Sequence, residues 1–199
     1  ELFPRFDLST LADEMTELTL IIAAKLFFSI DVSNDAKELS EAVNTISKAM
    51  LSEFYDVIAI PDWVVTPSKI AKRRAVAVLD KLIYESIEAH RNTSKQTDDV
   101  LSMLIDAKDP EDQSFSMSTR QIRDEAITLF NAGHDSTAAA LSWAWFLLLT
   151  NNEVYEQIVS ISRLEVANEG SNALGFAMQI AKETLRLYPP AWTLPRQCL

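Results

Sequence analysis

Glycine is scarce in this sequence: three of the 199 residues are Gly. Antiparallel sheets and phosphate-binding loops rely on glycine for tight turns, bulges and close backbone approach. The scarcity therefore argues against both and favours long helices. Cysteine is scarcer still, because Cys198 is the single one. One thiol excludes an intrachain disulfide framework and a metal site built from several thiolates.

Positive charge is also in short supply. The chain has 18 Lys and Arg against 29 Asp and Glu, a net charge of −11. This balance disfavours binding to nucleic acid, whose phosphates would repel the protein. Hydrophobic residues make up 48% of the chain, enough for a globular domain with a substantial core. No secretory signal precedes Glu1, and we expect the sequence to be a piece of a longer protein.

No uninterrupted apolar run reaches membrane-spanning length. Leu18–Ile30 is short and contains Lys25, whereas a spanning helix needs about 20 apolar residues. Leu129–Leu149 is long enough but contains several polar residues: Asn131, His134, Asp135, Ser136, Thr137 and Ser142. An apolar helix with a polar cluster near its centre predicts burial in a large core, with a function for the cluster.

The spacing of apolar residues predicts seven helices, so we expect an all-α fold of one domain or part of one. The second helix is expected to follow the cap cluster Ser33-Asn34-Asp35, to include Leu39 to Phe54 and to end before Pro61. The other expected ranges are about 9–30, 69–91, 98–107, 118–150, 153–166 and 174–188. The longest helix begins with Ser118-x-x-Gln121, a capping box in which each side chain satisfies a backbone N–H at the helix start.

Two short motifs contain residues that could carry chemistry. Gly133 lies within the longest helix, where glycine costs about 1 kcal/mol relative to alanine, so it indicates close approach of another group to the backbone. Asp135 and Ser136 follow, and two interpretations stay open: a functional cluster, or polar groups bonded back to the preceding turn. Glu183 and Arg186, three residues apart on one helix face, indicate by themselves only a surface ion pair.

The two motifs together resemble those of the cytochrome P-450 family, the haem-thiolate monooxygenases. Residues 132–137, AGHDST, are similar to the oxygen-binding motif on the long central helix of that family. Residues 182–190, KETLRLYPP, are similar to its Glu-x-x-Arg helix and the turn that follows. The resemblance implies that residues 1–199 form a single partial cytochrome P-450 domain, all-α in this span, without the N-terminal part and the C-terminal haem-ligand loop.

The resemblance implies a role for each residue of the first motif. Asp135 and Ser136 match the acid–alcohol pair that steers protons to dioxygen at the haem iron. Most members carry Thr where Ser136 stands, and serine lacks the methyl group that restricts χ1. Ala132 and Gly133 match residues over the haem face. Arg196 matches a contact to a haem propionate, for which a guanidinium is well shaped.

The resemblance also implies roles for residues of the second motif, 182–190, and for the residues that follow it. Glu183 and Arg186 match the structural pair that braces the haem-ligand loop. Three residues match the lining of the substrate pocket: Ala191, Trp192 and Thr193.

The resemblance does not supply an iron ligand. The family's ligand is a cysteine in a Phe-x-x-Gly-type loop well downstream of the Glu-x-x-Arg helix, whereas Cys198 has no glycine-rich loop around it. We therefore interpret Cys198 as an ordinary strand or loop residue and expect no metal-ligating residue in this chain. We also expect His134 to be a packed or solvent-facing neighbour of the motif and no metal ligand.

The implied activity of the intact protein is insertion of one oxygen atom of dioxygen into an apolar small molecule. The implied cofactors are haem b and NAD(P)H, with electrons delivered by a ferredoxin or a flavin reductase. We expect the fragment alone to be inactive and the protein to be cytoplasmic, with an upstream N-terminal anchor left open. The alternative is a truncated or degenerate non-enzymatic helical domain that binds a partner or lipid through apolar grooves.

Overall fold

The computed structural model describes residues 8–55, 64–92, 98–109, 111, 116–166, 173–191 and 193. In these ranges the fold consists of helices: α1 (Leu8–Phe28), α2 (Ala36–Tyr55), α3 (Pro67–Asn92), α4 (Val100–Asp106), α5 (Thr119–Thr150), α6 (Asn152–Val166) and α7 (Ala173–Leu187). The β-structure found within the same ranges is one isolated antiparallel bridge between Lys108 and Ser116. The prediction of an all-α fold is confirmed.

The start of α5 follows the predicted capping box. The backbone N–H of Ser118 donates to Oε1 of Gln121 at 2.9 Å, and the N–H of Gln121 donates to Oγ of Ser118 at 3.3 Å. Helix α3 begins at Pro67, two residues before the predicted start at Lys69. Thr66 explains the difference, because its Oγ1 accepts from the N–H of Lys69 at 3.2 Å and Pro67 suits a first helical position.

Helix α1 ends at Phe28, two residues before the predicted end at Ile30. Ser29 has φ of 54°, the left-handed conformation that usually stops a helix at a glycine. Its N–H donates to the carbonyl of Lys25 at 3.1 Å, and the N–H of Ile30 donates to that of Ala24 at 3.4 Å. The bond from Ser29 to Lys25 is that of an αL C-cap motif, with serine at the position that normally favours glycine.

The chain divides into two compact units, and the boundary falls within α5. The core unit, Glu17–His134, contains one contiguous cluster of buried apolar side chains from α1 to α5. Its largest fully buried members are Phe28, Phe130, Leu20, Leu79, Ile83, Ile87, Leu101 and Ile122. In the split unit, formed by residues 1–16 and 135–199, α7 packs against α6, and the ring of Tyr188 stacks on that of Trp143 at 4.0 Å.

The prediction that Leu129–Leu149 is largely buried is wrong, because burial is confined to part of the segment. Phe130, His134 and Ala138 are buried, but Leu129, Trp143 and Leu149 are each about 40% exposed. The buried residues recur at four-residue steps, so they occupy one stripe of α5. An apolar sequence on every side of a helix leads to burial only where neighbours cover every side, and the described part of this chain covers mainly one.

Candidate functional site

The residues of the AGHDST motif lie on two different faces of α5. Phe130 and His134 are fully buried, whereas Ala132, Asp135 and Ser136 are exposed. Successive residues of an α-helix are rotated by about 100°, so 132 and 136 lie above each other and 135 lies to one side of them. The structure therefore brings three of the predicted site residues together on the exposed face of α5.

The exposed face of α5 has an apolar side chain at its core-unit end. Leu129 lies three residues before Ala132, close to the same helix face, and is 40% exposed. A bulky apolar side chain next to a small residue, with a hydroxyl on the following turn, fits a flat, apolar group such as a haem. The residues present are thus compatible with the implied cofactor.

Gly133 lies where α5 comes closest to Phe27 of α1. A Cβ atom added at Gly133 would lie 2.7 Å from both Cε2 and Cζ of Phe27, closer than carbon atoms pack. A side chain at residue 133 would therefore point toward Phe27 in the core unit. Gly133 thus has a packing reason to be glycine that is separate from the exposed face.

His134 is fully buried, and the structure confirms that it is a packed neighbour of the motif. Its Nδ1 lies 2.8 Å from the carbonyl oxygen of Phe130, and the two rings are 5.1 Å apart. Nδ1 therefore carries the proton that it donates to this carbonyl, and Nε2 is buried without a hydrogen-bond partner in the described part of the chain. No group of three or more potential metal-binding side chains occurs among the described residues.

Glu183 and Arg186 form the predicted ion pair on α7. Arg186 donates through Nε and Nη2 to the two carboxylate oxygens of Glu183, at 2.8 and 2.7 Å. The bonds from Arg186 lower the pKa of Glu183, and the bonds to Glu183 raise the pKa of Arg186. Both side chains are more than half exposed, so solvent screens the pair and it adds little to the stability of this unit.

A groove of about 380 Å³ lies beside this pair in the split unit. Its walls come from the C-terminal end of α5, from α6 and from α7, and they include Leu147, Val154, Phe176, Ile180, Glu183 and Leu187. Most of this lining is apolar. Thr184 is a buried residue of this lining, and its hydroxyl donates to the carbonyl of Ile180 at 2.9 Å.

The remaining predicted site residues lie at the C-terminal end of the chain. Ala191 and Thr193 are exposed. Trp192, Arg196 and Cys198 lie outside the described residues. Their roles stay predictions.

A buried polar cluster of the core unit was missed by the sequence analysis. Asp99 accepts from the hydroxyl of Ser29, from the N–H of Ser102 at 2.8 Å and from Nε2 of His90 at 2.8 Å. Burial opposes ionisation of Asp99, but the hydrogen bonds from Ser29, His90 and Ser102 outweigh it and lower its pKa well below 3.8. Asp99-x-x-Ser102 is a recognisable helix cap, so the N-cap of α4 had a sequence signal, whereas the partners Ser29 and His90 had none.

No helix formed by the described residues is both long enough and apolar enough to cross a membrane.

Known proteins were compared with the chain by sequence and by fold. A profile of the family described as Cytochrome P450 matches residues 5–199. Cyclooctatin synthase of Streptomyces melanosporofaciens is 32% identical over 197 residues, which cover 92% of this chain and 41% of that protein. Pentalenene oxygenase of Streptomyces avermitilis is 26% identical over 192 residues, with coverage of 92% and 41%.

A solved structure, retinoic-acid-bound cyanobacterial CYP120A1, has a similar fold. The TM-score is 0.68 at 24% sequence identity, and the match covers 90% of this chain and 39% of that one. The chain thus spans about two-fifths of the length of the relatives that it matches. Because the family profile covers nearly all of its residues, including both motifs, the chain belongs to the cytochrome P450 family.

Proposed function

We propose that this chain is part of a haem-dependent monooxygenase that inserts one oxygen atom of dioxygen into an apolar organic substrate. The observation that carries the proposal is the two-faced α5. Its buried stripe anchors the helix in the core unit, while Ala132, Asp135 and Ser136 share the exposed face. The rest of the catalytic domain would be supplied by parts of the protein outside these 199 residues.

The exposed face of α5 would perform two tasks. The small side chain of Ala132 leaves room for a flat cofactor and for dioxygen beside the helix backbone. The hydroxyl of Ser136 can donate one proton and accept another, and the carboxyl group of Asp135 is exposed to solvent. The overall reaction consumes dioxygen, two electrons and two protons and releases water, so protons must be delivered in each cycle, and Ser136 Oγ is the group that we propose for this delivery.

Haem b is the cofactor that we propose for this face. When bound through a cysteine thiolate, it supplies activation of dioxygen, and the thiolate favours O–O cleavage. From this chain, Ala132 and the backbone at Gly133 would lie over the haem, and Arg196 would bind a propionate. Ala191, Trp192 and Thr193 would line the substrate pocket.

The proposed electron source is NAD(P)H, through a ferredoxin or a flavin reductase. An apolar substrate is supported by the relative that is named as an oxygenase of pentalenene. The proposed compartment is the cytoplasm, because NAD(P)H is a cytoplasmic reductant.

The Glu183–Arg186 pair provides a test of the proposal in the complete haem-loaded protein. Glu183→Gln should leave the thermal midpoint of the apoprotein within about 2 °C, because the pair is exposed and screened. The same change should lower haem incorporation several-fold, because the pair is proposed to brace the haem-ligand loop. Glu53→Gln is the matched control, since Glu53 forms a similarly exposed pair with Lys72 at 2.7 Å. Equal haem content in both variants would contradict the bracing role.

The 199-residue chain by itself should not form a thiolate-ligated haem protein. The sequence lacks a Phe-x-x-Gly-type cysteine loop, and Cys198 lacks the glycine-rich turn whose N–H groups would stabilise a thiolate. The measurement is the carbon monoxide spectrum of the reduced chain after expression with added haem. A stable red-shifted thiolate-type Soret band that disappears in Cys198→Ser would overturn our interpretation of Cys198.

A further inference from the structure

An aromatic ring of α1 occupies the space beside Gly133 of the AGHDST motif. The Cε2 and Cζ atoms of Phe27 occupy the position where a side chain at residue 133 would begin, both at 2.7 Å from an added Cβ. A contact at this distance is repulsive, so either the ring or the helix would have to move if residue 133 had a side chain.

The ring of Phe27 is held by other aromatic rings of the core unit. It packs edge-on against Phe28, with 6.4 Å between ring centroids, and Phe28 in turn packs against Phe130 of α5 at 5.4 Å. Phe28 and Phe130 are each 1% exposed, so neither has free space into which it could move. Phe27 itself is partly buried and packs against the apolar cluster. The row of rings therefore fixes the distance between α1 and α5 at the motif.

The Phe27 contact lies beside the proposed haem face. Residue 133 is rotated by about 100° from residue 132 and by about 60° from residue 136, so the position of its missing side chain borders the exposed face. The ring thus supports the helix from the side at the turn that carries Ala132, Asp135 and Ser136. A change in the size of the ring would shift or rotate that turn.

We infer that Phe27 is a positioning residue for the proton-delivery turn, and that residue 133 is glycine because the ring of Phe27 occupies the space of its side chain. The positioning role rests on the proposed function. The steric dependence of Gly133 on Phe27 does not, because both residues are part of the core unit and their contact is independent of any cofactor.

The steric part is tested by a double-mutant cycle in the complete haem-loaded protein: Gly133→Ala, Phe27→Leu and the combination. Leucine ends at its δ carbons, whereas the blocking atoms of phenylalanine are its ε and ζ carbons. Gly133→Ala alone should lower the thermal midpoint by several degrees. With Phe27→Leu present, the same change should be neutral or raise the midpoint, because alanine favours helix more than glycine and now has room.

Leu26→Ala is the matched control, because Leu26 is the neighbouring α1 residue and is 62% exposed. Gly133→Ala should cost the same with and without Leu26→Ala. If Gly133→Ala lowers the thermal midpoint equally with and without Phe27→Leu, the inference is overturned. In that case a group other than Phe27 would exclude a side chain at residue 133.

The positioning part is read from the ratio of hydrogen peroxide released to product formed. Phe27→Leu should raise this ratio at least about twofold, and adding Gly133→Ala should bring it back toward the original value by refilling the space. An unchanged ratio in Phe27→Leu would overturn the positioning role if Ser136→Ala raises the ratio. If Ser136→Ala does not raise this ratio either, the proposed function fails. The double-mutant cycle in thermal midpoint then still tests whether Phe27 excludes a side chain at residue 133.

Discussion

Asp99→Ala should lower the free energy of unfolding of the core unit by about 3–5 kcal/mol, the range found when one member of a buried ion pair is removed. The side chain of Asp99 is 2% exposed and that of His90 is 10% exposed. Removing the carboxylate leaves His90 without its partner in a buried position. It also removes the N-cap of α4, because the N–H of Ser102 donates to Asp99, and a lost cap costs about 1 kcal/mol.

The geometry around His90 makes the loss of Asp99 especially unfavourable. Nδ1 of His90 lies 2.8 Å from the carbonyl oxygen of Ser86, and Nε2 lies 2.8 Å from Oδ2 of Asp99. Both ring nitrogens thus have a hydrogen-bond partner in the folded chain. Without Asp99, Nε2 of His90 is buried without this partner, and the hydroxyl of Ser29 and the N–H of Ser102 lose the same acceptor.

Chemical unfolding of the complete protein, followed by circular dichroism, measures this loss. Asp98→Ala is the matched control, because Asp98 is the adjacent carboxylate and is exposed, so it should change stability by less than about 0.5 kcal/mol. Ser29→Gly should fall between the two, since it removes one hydrogen bond to Asp99 but relieves the left-handed backbone of Ser29. Equal stability of Asp98→Ala and Asp99→Ala would contradict the buried pair.

The pH dependence of stability provides a second measurement of the Asp99 cluster. The pKa of Asp99 is lowered on folding, so its ionised form contributes stability at pH values above the ordinary value of 3.8. That contribution is lost progressively as the pH falls below this value and the carboxylate is protonated. The acid limb of the stability curve should therefore be shallower in Asp99→Ala than in the original protein.

Local signals accounted for most of what the sequence predicted correctly. The capping box of Ser118 and Gln121 acts within four residues, so it can be read directly from the sequence. The end of α1 was misplaced because Ser29 takes a conformation for which serine has no preference. Its hydroxyl bonds to Asp99, 70 residues away, and such a pairing is visible only in the folded chain.

The faces of α5 show a second limit of sequence reasoning. The motif predicts that the helix has a function, and the resemblance implied that Gly133 faces a haem. The pattern does not contain the direction in which each residue points relative to α1, because that depends on packing of Phe27, Phe28 and Phe130 across two helices. The helix is therefore confirmed, the contact of Phe27 with Gly133 is visible only in the folded chain, and the position of Gly133 over a haem stays a prediction.

Ser136→Ala should uncouple electron consumption from product formation in the complete enzyme. A positioned proton donor contributes about 10²–10⁴-fold to a rate, and we expect the lower end of this range because the exposed Asp135 and solvent can supply protons by other routes. Product formation should thus fall by about 10²-fold, while NAD(P)H consumption falls much less. The missing electrons should appear as hydrogen peroxide.

Two serine substitutions separate proton delivery from an effect on the helix. Ser142→Ala is the matched control, because Ser142 lies on the same helix and its hydroxyl donates to the carbonyl of Ala138 at 2.8 Å. It should leave the ratio of peroxide to product unchanged. Ser136→Thr restores a hydroxyl at residue 136 with fewer side-chain rotamers and should keep the coupling of the original protein or improve it.

Haem content and thermal stability of Ser136→Ala should match those of the original protein, because Ser136 is exposed on α5 and removing its hydroxyl opens no buried cavity. A loss of haem would show that the residue helps hold the cofactor, and the relay role would then fail. Unchanged coupling with normal haem content would contradict it equally. A rise in peroxide that Ser136→Thr reverses and Ser142→Ala does not reproduce is the result expected from proton delivery at Ser136 Oγ.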